Sequence, residues 1–250
     1  MVRLQSLSFV ACVLAAASVL AQENSPERII ARVDQLYRRD TSYSKVEMTI
    51  VTPHWQRRLE MEMWTEGMDK SFIHITAPRK EAGMSTLRID REMWNYFPRI
   101  DKVMKVPPSM MMSSWMGSDF SNDDLVKESS MLEDYVAEFA ELEGAEAGFH
   151  YIALTPREHT PSVWARIEVA VRKEDLIPRR QVFFDEKGDK VRVMEFREVT
   201  RFGELNLPAV VEMVPLRKEG HRTVFRYVEA RFDEVLEEGT FTLRNLRRKR

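Results

Sequence analysis

The chain has 250 residues, of which 44% are hydrophobic and 31% are charged, a composition typical of a globular protein and not of a disordered or fibrous one. The formal net charge of −2 argues against nucleic acid as a partner. The single cysteine, Cys12, lies in a segment that we expect to be removed, which excludes disulfides, thiol catalysis and cysteine metal sites from the mature protein.

The first 21 residues are typical of a secretory signal peptide. Arg3 precedes an apolar run from Leu7 to Leu20 that is too short to span a membrane. Ala21, just after this run, provides the small residue of a cleavage site before residue 22. We therefore predict a mature chain of residues 22–250, exported to the periplasm and not lipidated, because Cys12 lies inside the apolar run. With no internal repeat and no linker rich in Pro, Gly or Ser, we expect residues 22–250 to form one domain.

A helix is predicted over residues 25–39. Ser25-Pro26-Glu27 combines a capping hydroxyl, a proline at the first helical position and an acid in the first turn. Apolar residues then recur at helical spacing: Ile29, Ile30, Val33, Leu36 and Tyr37. This amphipathic helix needs an apolar surface to cover.

Strands dominate the rest of the chain. Apolar and polar residues alternate over 163–172, and similar alternation runs through 46–50, 59–63 and 72–76. Short charged loops containing Gly188 and Gly220 connect strand-like runs, which favours antiparallel pairing. The pattern predicts an α+β fold in which an antiparallel meander is covered or plugged by the first helix.

Two segments have unbalanced charge. Residues 119–146 carry ten acids and one lysine, start with a capping box at Ser121 and have apolar spacing that predicts one or two short helices. The C-terminal end is basic, with Arg244, Arg247, Arg248, Lys249 and Arg250. We expect this basic end to dock on a membrane complex or on anionic head groups. The alternatives are two solvated faces or a structural contact between the two segments.

Catalytic chemistry has little support in the sequence. The five histidines, His54, His74, His150, His159 and His221, are scattered without metal-ligand spacing, and no nucleophile-elbow, zinc-protease or phosphate-loop motif occurs. The Gly117-Ser118-Asp119 stretch is interpreted as a turn or cap. We therefore expect no enzyme activity, no cofactor and no metal.

A methionine cluster follows two prolines. Residues 107–117 contain Met110, Met111, Met112, Trp115 and Met116. Methionine is flexible and polarizable, so the cluster favours an adaptable apolar lid. Ordinary core filling is an equally plain interpretation, and thioether binding of copper(I) is a weaker one because no His or Cys lies among these methionines.

The sequence resembles the LolA-like outer-membrane lipoprotein-sorting family. The likeness rests on Met93-Trp94-Asn95-Tyr96-Phe97-Pro98, on Met116-Gly117-Ser118-Asp119-Phe120-Ser121, on Ile177-Pro178-Arg179-Arg180 and on the ending Phe241-Thr242-Leu243-Arg244-Asn245-Leu246. It implies a half-open antiparallel β-barrel of about eleven strands, LolA/LolB-like, with helices forming a lid over an apolar cavity. It also implies a periplasmic carrier that moves a lipoprotein or another lipid from the inner towards the outer membrane.

The carrier interpretation assigns the acyl cavity and its lid to Met61, Met63, Trp94, Phe97, Met110, Met111, Met112, Trp115, Met116 and Phe120. Arg57 and Arg58 are candidates for an arginine that locks the lid. Expected partners are acyl chains, an inner-membrane exporter or release complex of the RND/MMPL type and an outer-membrane acceptor, with the carrier a monomer. The alternatives are a docking module of such an exporter that carries no lipid, and a periplasmic hydrolase, which the histidine pattern disfavours.

Overall fold

The computed structural model describes residues 25–36, 39–126, 131–142, 144–160 and 162–248. The predicted signal peptide and its cleavage site lie outside the described residues. Thirteen strands occur in this part of the chain, running from β1 (Thr41–Val51) through β2 (Gln56–Glu66), β3 (Lys70–Ala77), β4 (Ser85–Ile89), β5 (Glu92–Phe97), β6 (Lys102–Lys105), β7 (Tyr135–Phe139), β8 (Phe149–Pro156), β9 (Arg166–Arg172), β10 (Pro178–Phe184), β11 (Lys190–Phe202) and β12 (Leu205–Pro215) to β13 (Arg222–Phe232). The helices are α1 (Pro26–Gln35), α2 (Asn122–Val126), α3 (Met131–Asp134) and α4 (Leu243–Leu246).

All thirteen strands belong to one antiparallel sheet. Its order is β6-β5-β4-β3-β2-β1-β13-β12-β11-β10-β9-β8-β7, so two meanders are joined where β1 pairs with β13. The sheet ends at β6 and β7 and is not closed into a barrel. The predicted α+β antiparallel architecture is confirmed, whereas the expected number of about eleven strands was too low.

Helix α1 packs on one half of the sheet, as predicted, but it ends at Gln35 and not at the predicted residue 39, and Tyr37 lies outside the described residues. The Ser25 hydroxyl accepts the Arg28 backbone N–H at 3.3 Å, which caps the first turn. Ile29, Ile30 and Val33 are buried against the strand residues Tyr135, Ala137, Ile152, Leu154, Ile167, Val169, Val171 and Phe183. Burial of each large apolar side chain stabilises the fold by roughly 1.5–3 kcal/mol.

One local prediction within 119–146 is wrong. Two short helices, α2 and α3, do occur there, but residues 135–139 form strand β7 instead of continuing a helix. Tyr135 and Ala137 are buried while Val136 and Glu138 are exposed, which is the alternation of a strand. Tyr135 and Phe139 are four residues apart, a spacing that also fits a helix. Packing of residues 135–139 against α1 stabilises the strand instead.

The strands next to the methionine cluster are buried on both faces. Ile73 and Ile75 of β3 pack with Trp115, on what we call the groove face, which also carries the α1 cluster. Phe72 points the other way and packs with Leu87, Tyr96 and Leu246 of α4 on the opposite face. The methionine cluster and the basic C-terminal segment therefore lie on opposite faces of the sheet.

Candidate functional site

Residues 107–126, which we name the cover segment, lie over β1–β3 on the groove face. Pro108–Met110 form a single 3₁₀ turn, and the Trp115 N–H donates to the Phe120 carbonyl at 2.7 Å, which closes a small loop. Met116 and Gly117 at its tip both have positive φ, which glycine tolerates best. The Asn122 side-chain amide donates to the Met110 carbonyl at 2.9 Å and connects the two ends of the segment.

Two aromatic side chains anchor the cover segment. Trp115 is 2% exposed and packs with Val46, Met48, Ile50, Leu59, Met61, Ile73 and Ile75. Phe120 meets Phe225 of β13 edge to face, with ring centroids 4.9 Å apart. These contacts bury the centre of the segment, whereas Met110 and Met112 are 51% and 55% exposed.

An arginine side chain of β2 is hydrogen-bonded to the cover segment. Arg57 of β2 donates to the Met116 carbonyl. Strand alternation places Arg57 on the groove face and Arg58 on the opposite face, where it pairs with Glu47. Of the two candidates from the sequence, the structure therefore brings only Arg57 to the cover segment.

A groove opens beside the cover segment, above β3–β6. Its volume of about 610 Å³ lies within the range of about 300–1,000 Å³ that small-molecule sites occupy. Its apolar walls are formed by Ile75, Met84, Phe97, Met104, Val106, Pro107, Met110, Trp115 and Met116. One end is polar and contains Arg57, Lys80, Glu81 and Arg99. We call this cleft the methionine groove.

The structure distributes the predicted cavity residues unevenly. Phe97, Met110, Trp115 and Met116 line the methionine groove, while Met111 and Met112 line a second recess of about 950 Å³ on the other side of Pro108. Met61 is fully buried beneath Trp115, with Met63 beside it. Phe120 is an anchor, and Trp94 lies on the opposite face with Phe72 and Leu87.

Several groove residues were missed by the sequence analysis. Met84 and Glu81 belong to the turn between β3 and β4, and Met104 lies on the edge strand β6. No local motif marks them, because the groove forms only when these elements fold under the cover segment. The strand period of 92–97 was an available signal, since it separates Phe97 from Trp94 by face.

The Gly117-Ser118-Asp119 stretch is a structural turn. The Ser118 hydroxyl donates to the Trp115 carbonyl at 2.7 Å, and the Asp119 carboxylate accepts from the Thr223 hydroxyl at 2.8 Å. His221 lies 3.9 Å from Asp119, yet the Ser118 hydroxyl is directed to backbone carbonyls and not to the imidazole. The three side chains therefore lack the hydrogen-bond chain that activates a serine.

The described residues contain no group of three His, Cys, Asp or Glu side chains placed to hold a metal ion. Within the same part of the chain, no helix has both the length and the apolar character needed to span a membrane.

A family model described as an uncharacterized protein matches residues 67–248. The chain belongs to this family. Among curated proteins, none matches the sequence significantly. The family match covers the cover segment, most of the groove and the basic end of the chain as far as Arg248.

Solved structures identify the fold. A DUF1329 family protein from Desulfovibrio piger is 22% identical, with a TM-score of 0.79 over 88% of this chain and 97% of that one. A domain described as an outer membrane lipoprotein-sorting protein, from Vibrio parahaemolyticus, has 20% identity and a TM-score of 0.75 over 90% and 99%. A LolA superfamily protein from Nitrosomonas europaea has 17% identity and a TM-score of 0.72 over 88% and 99%. These similarities show that the chain has a LolA-like fold, as the sequence resemblance implied.

Proposed function

We propose that this protein is a periplasmic carrier that binds the acyl chain of a lipid or lipoprotein in the methionine groove and moves it from the inner towards the outer membrane. The observation that carries the proposal is an apolar groove whose walls include partly exposed methionines of the cover segment. Methionine side chains adapt to irregular apolar ligands without a fixed shape. The LolA-like fold supports the same conclusion.

The energetics of lipid transfer explain why such a groove is needed. At about 0.8 kcal/mol per CH₂, exposure of a single sixteen-carbon chain to water costs roughly 12 kcal/mol. Spontaneous crossing of an aqueous compartment is therefore negligible. A carrier must offset most of this cost and still release the chain, which a shallow groove does better than a sealed pocket.

The contacts of the cover segment suit it to move during loading and release. The half-exposed Met110, which lines the groove, can follow a ligand, whereas the buried Trp115 and Phe120 keep the centre of the segment in place. The hydrogen bond from Arg57 to the Met116 carbonyl closes the segment over the groove. In this proposal, rupture of that bond widens the groove entrance.

Native mass spectrometry of protein purified from its own periplasm tests the proposal. We expect a bound acyl compound, and we expect the variant Arg57→Gln to lose its ligand faster than wild type and to be cut faster by protease within 107–117. Arg58→Gln is the matched control, because Arg58 is the next residue of β2 but points away from the groove. Absence of any acyl ligand, together with failure to bind added amphiphiles, would favour the docking module over the carrier.

A further inference from the structure

We propose that the methionine groove selects an anionic amphiphile whose head group combines a phosphate with a hydroxyl donor, as a phosphoglycerol head does, and that Glu81 recognises the donor. This inference rests on the proposed function and names its substrate class. It concerns the polar end of the groove, which the acyl chain does not need.

The polar end is built by two turns and one strand. The turn that holds Lys80 and Glu81 packs on the turn after β5, where the Arg99 guanidinium donates to the Lys80 carbonyl at 3.1 Å. Gly83 packs against Pro98, because a Cβ atom at residue 83 would lie 3.4 Å from the proline ring. Arg57 approaches from β2. These elements contribute Glu81 and three cations to the groove, whose fourth cation, Lys105 of β6, is paired with Glu92.

Two charged side chains at this end are incompletely satisfied. Glu81 is 7% exposed, and the closest approach of its carboxylate to Arg57 is 3.8 Å, well beyond a charge-assisted hydrogen bond of about 2.7–2.9 Å. The described residues provide no hydrogen-bond partner for Glu81 Oε2 or for Arg57 Nε. A buried acceptor and a buried donor that lack partners each cost stability, and a ligand with both functions would satisfy them.

The charge balance of the polar end favours an anion. Lys80 and Arg99 are exposed, and among the described residues neither forms an ion pair. Together with Arg57 they present three positive charges against the single negative charge of Glu81. Guanidinium and ammonium groups in this arrangement suit a phosphate monoanion.

The Glu81 carboxylate then selects for a hydrogen-bond donor in the head group. A phosphate alone would be repelled by the Glu81 carboxylate, so an acid at the centre of a cationic opening favours heads that also donate a hydrogen bond. Hydroxyl groups attached to the phosphate supply that donor. The lipid anchor of a lipoprotein carries no phosphate, so the inference separates phospholipid-type cargo from lipoprotein cargo.

Isothermal titration with three amphiphiles at monomeric concentration tests the inference. Dodecylphosphoglycerol has a charge and hydroxyls, dodecyl methyl phosphate has the same charge without hydroxyls, and dodecyl maltoside has hydroxyls without charge. We expect dodecylphosphoglycerol to bind about tenfold more tightly than dodecyl methyl phosphate or dodecyl maltoside. A hydrogen bond to a charged group changes the dissociation constant by about this factor. Lys80→Gln combined with Arg99→Gln should weaken both phosphates severalfold and leave the maltoside unchanged, whereas Lys102→Gln, outside the groove, should change none.

Glu81→Gln is the decisive variant. It should reduce the preference for phosphoglycerol over methyl phosphate severalfold, because the donor then meets a neutral acceptor. Glu60→Gln is the control, since Glu60 is an exposed acid of β2. Equal binding of all three amphiphiles, or an equal loss for both phosphates in Glu81→Gln, would overturn the head-group inference alone. Failure of wild type to bind any dodecyl amphiphile would instead overturn the carrier proposal.

Discussion

The Arg192 guanidinium of β11 forms two parallel hydrogen bonds with the Asp124 carboxylate of α2, from Nη1 to Oδ2 at 2.8 Å and from Nη2 to Oδ1 at 2.7 Å. The same guanidinium lies over the rings of Trp164 and Phe183, each 4.4 Å from its centroid. The Asp124 carboxylate also accepts the Ser121 backbone N–H, and the Asp124 backbone N–H donates to the Ser121 hydroxyl at 3.1 Å, which completes the capping box. One arginine therefore connects the cover segment to the half of the sheet that α1 covers.

Removal of one partner of this ion pair should destabilise the fold. The two side chains are 11% and 17% exposed, and a buried charge that loses its partner typically costs about 3–5 kcal/mol. We expect Asp124→Ala to lower the free energy of unfolding by that amount in urea denaturation. Glu198→Ala is the control, because Glu198 and Arg226 form a similar two-bond pair that is exposed, and its midpoint should hardly change. Equal midpoints for both variants would contradict the prediction.

The Asp124 carboxyl should also make stability depend on pH in the acid range. Burial raises its pKa, but the hydrogen bonds and charge of Arg192, with the Ser121 donors, outweigh burial and hold the pKa below its usual value. A lowered folded-state pKa contributes stability above the unfolded value of about 3.9, and this contribution is lost as pH falls through the folded pKa. The stability difference between wild type and Asp124→Asn, measured by urea denaturation at several pH values, should therefore shrink below about pH 4. A constant difference down to the folded-state pKa would show that the charge of Asp124 contributes nothing.

Replacement of Met110, Met111 and Met112 together by Ser should weaken binding of an acyl ligand, because Met110 lines the methionine groove, with only a modest loss of stability. Two of the three side chains are about half exposed, so little buried apolar area is lost. Met61→Ala provides the contrast, because Met61 is fully buried beneath Trp115 and its truncation should cost about 2–5 kcal/mol. Titration with a fluorescent fatty acid and thermal unfolding measure the two effects. If the triple variant unfolds, the methionines are core residues.

The basic end of the chain should act on loading from membranes and not on ligand affinity. Arg244, Arg247 and Arg248 are exposed around α4, on the face opposite the groove, while Lys249 and Arg250 lie outside the described residues. Anionic head groups attract each such charge by about 1 kcal/mol near a membrane surface. Replacement of Arg247, Arg248, Lys249 and Arg250 by Ser should slow transfer from anionic vesicles at low salt, where screening is weak. Identical transfer rates at low ionic strength would exclude this role.

Local patterns in the sequence were sufficient for the regular elements. The Ser25 cap, the stripe of Ile29, Ile30 and Val33, and the strand alternation over 163–172 depend on neighbouring residues. The structure has helix α1 at the first two and strand β9 over Arg166–Arg172, three residues shorter than the alternation. Residues 135–139 were ambiguous because Tyr135 and Phe139 fit both periods. Contact with α1 on one side then selects the strand.

The candidate site depended on contacts that no local pattern contains. Arg57 reaches Met116 across 59 residues and Arg192 reaches Asp124 across 68, and both pairs form only once the sheet has set the distances. The sequence determined that the methionine cluster is apolar and follows two prolines. The tertiary structure decided which of its side chains stay exposed, because the burial of Trp115 and the pairing of β1 with β13 are properties of the assembled sheet and not of the segment.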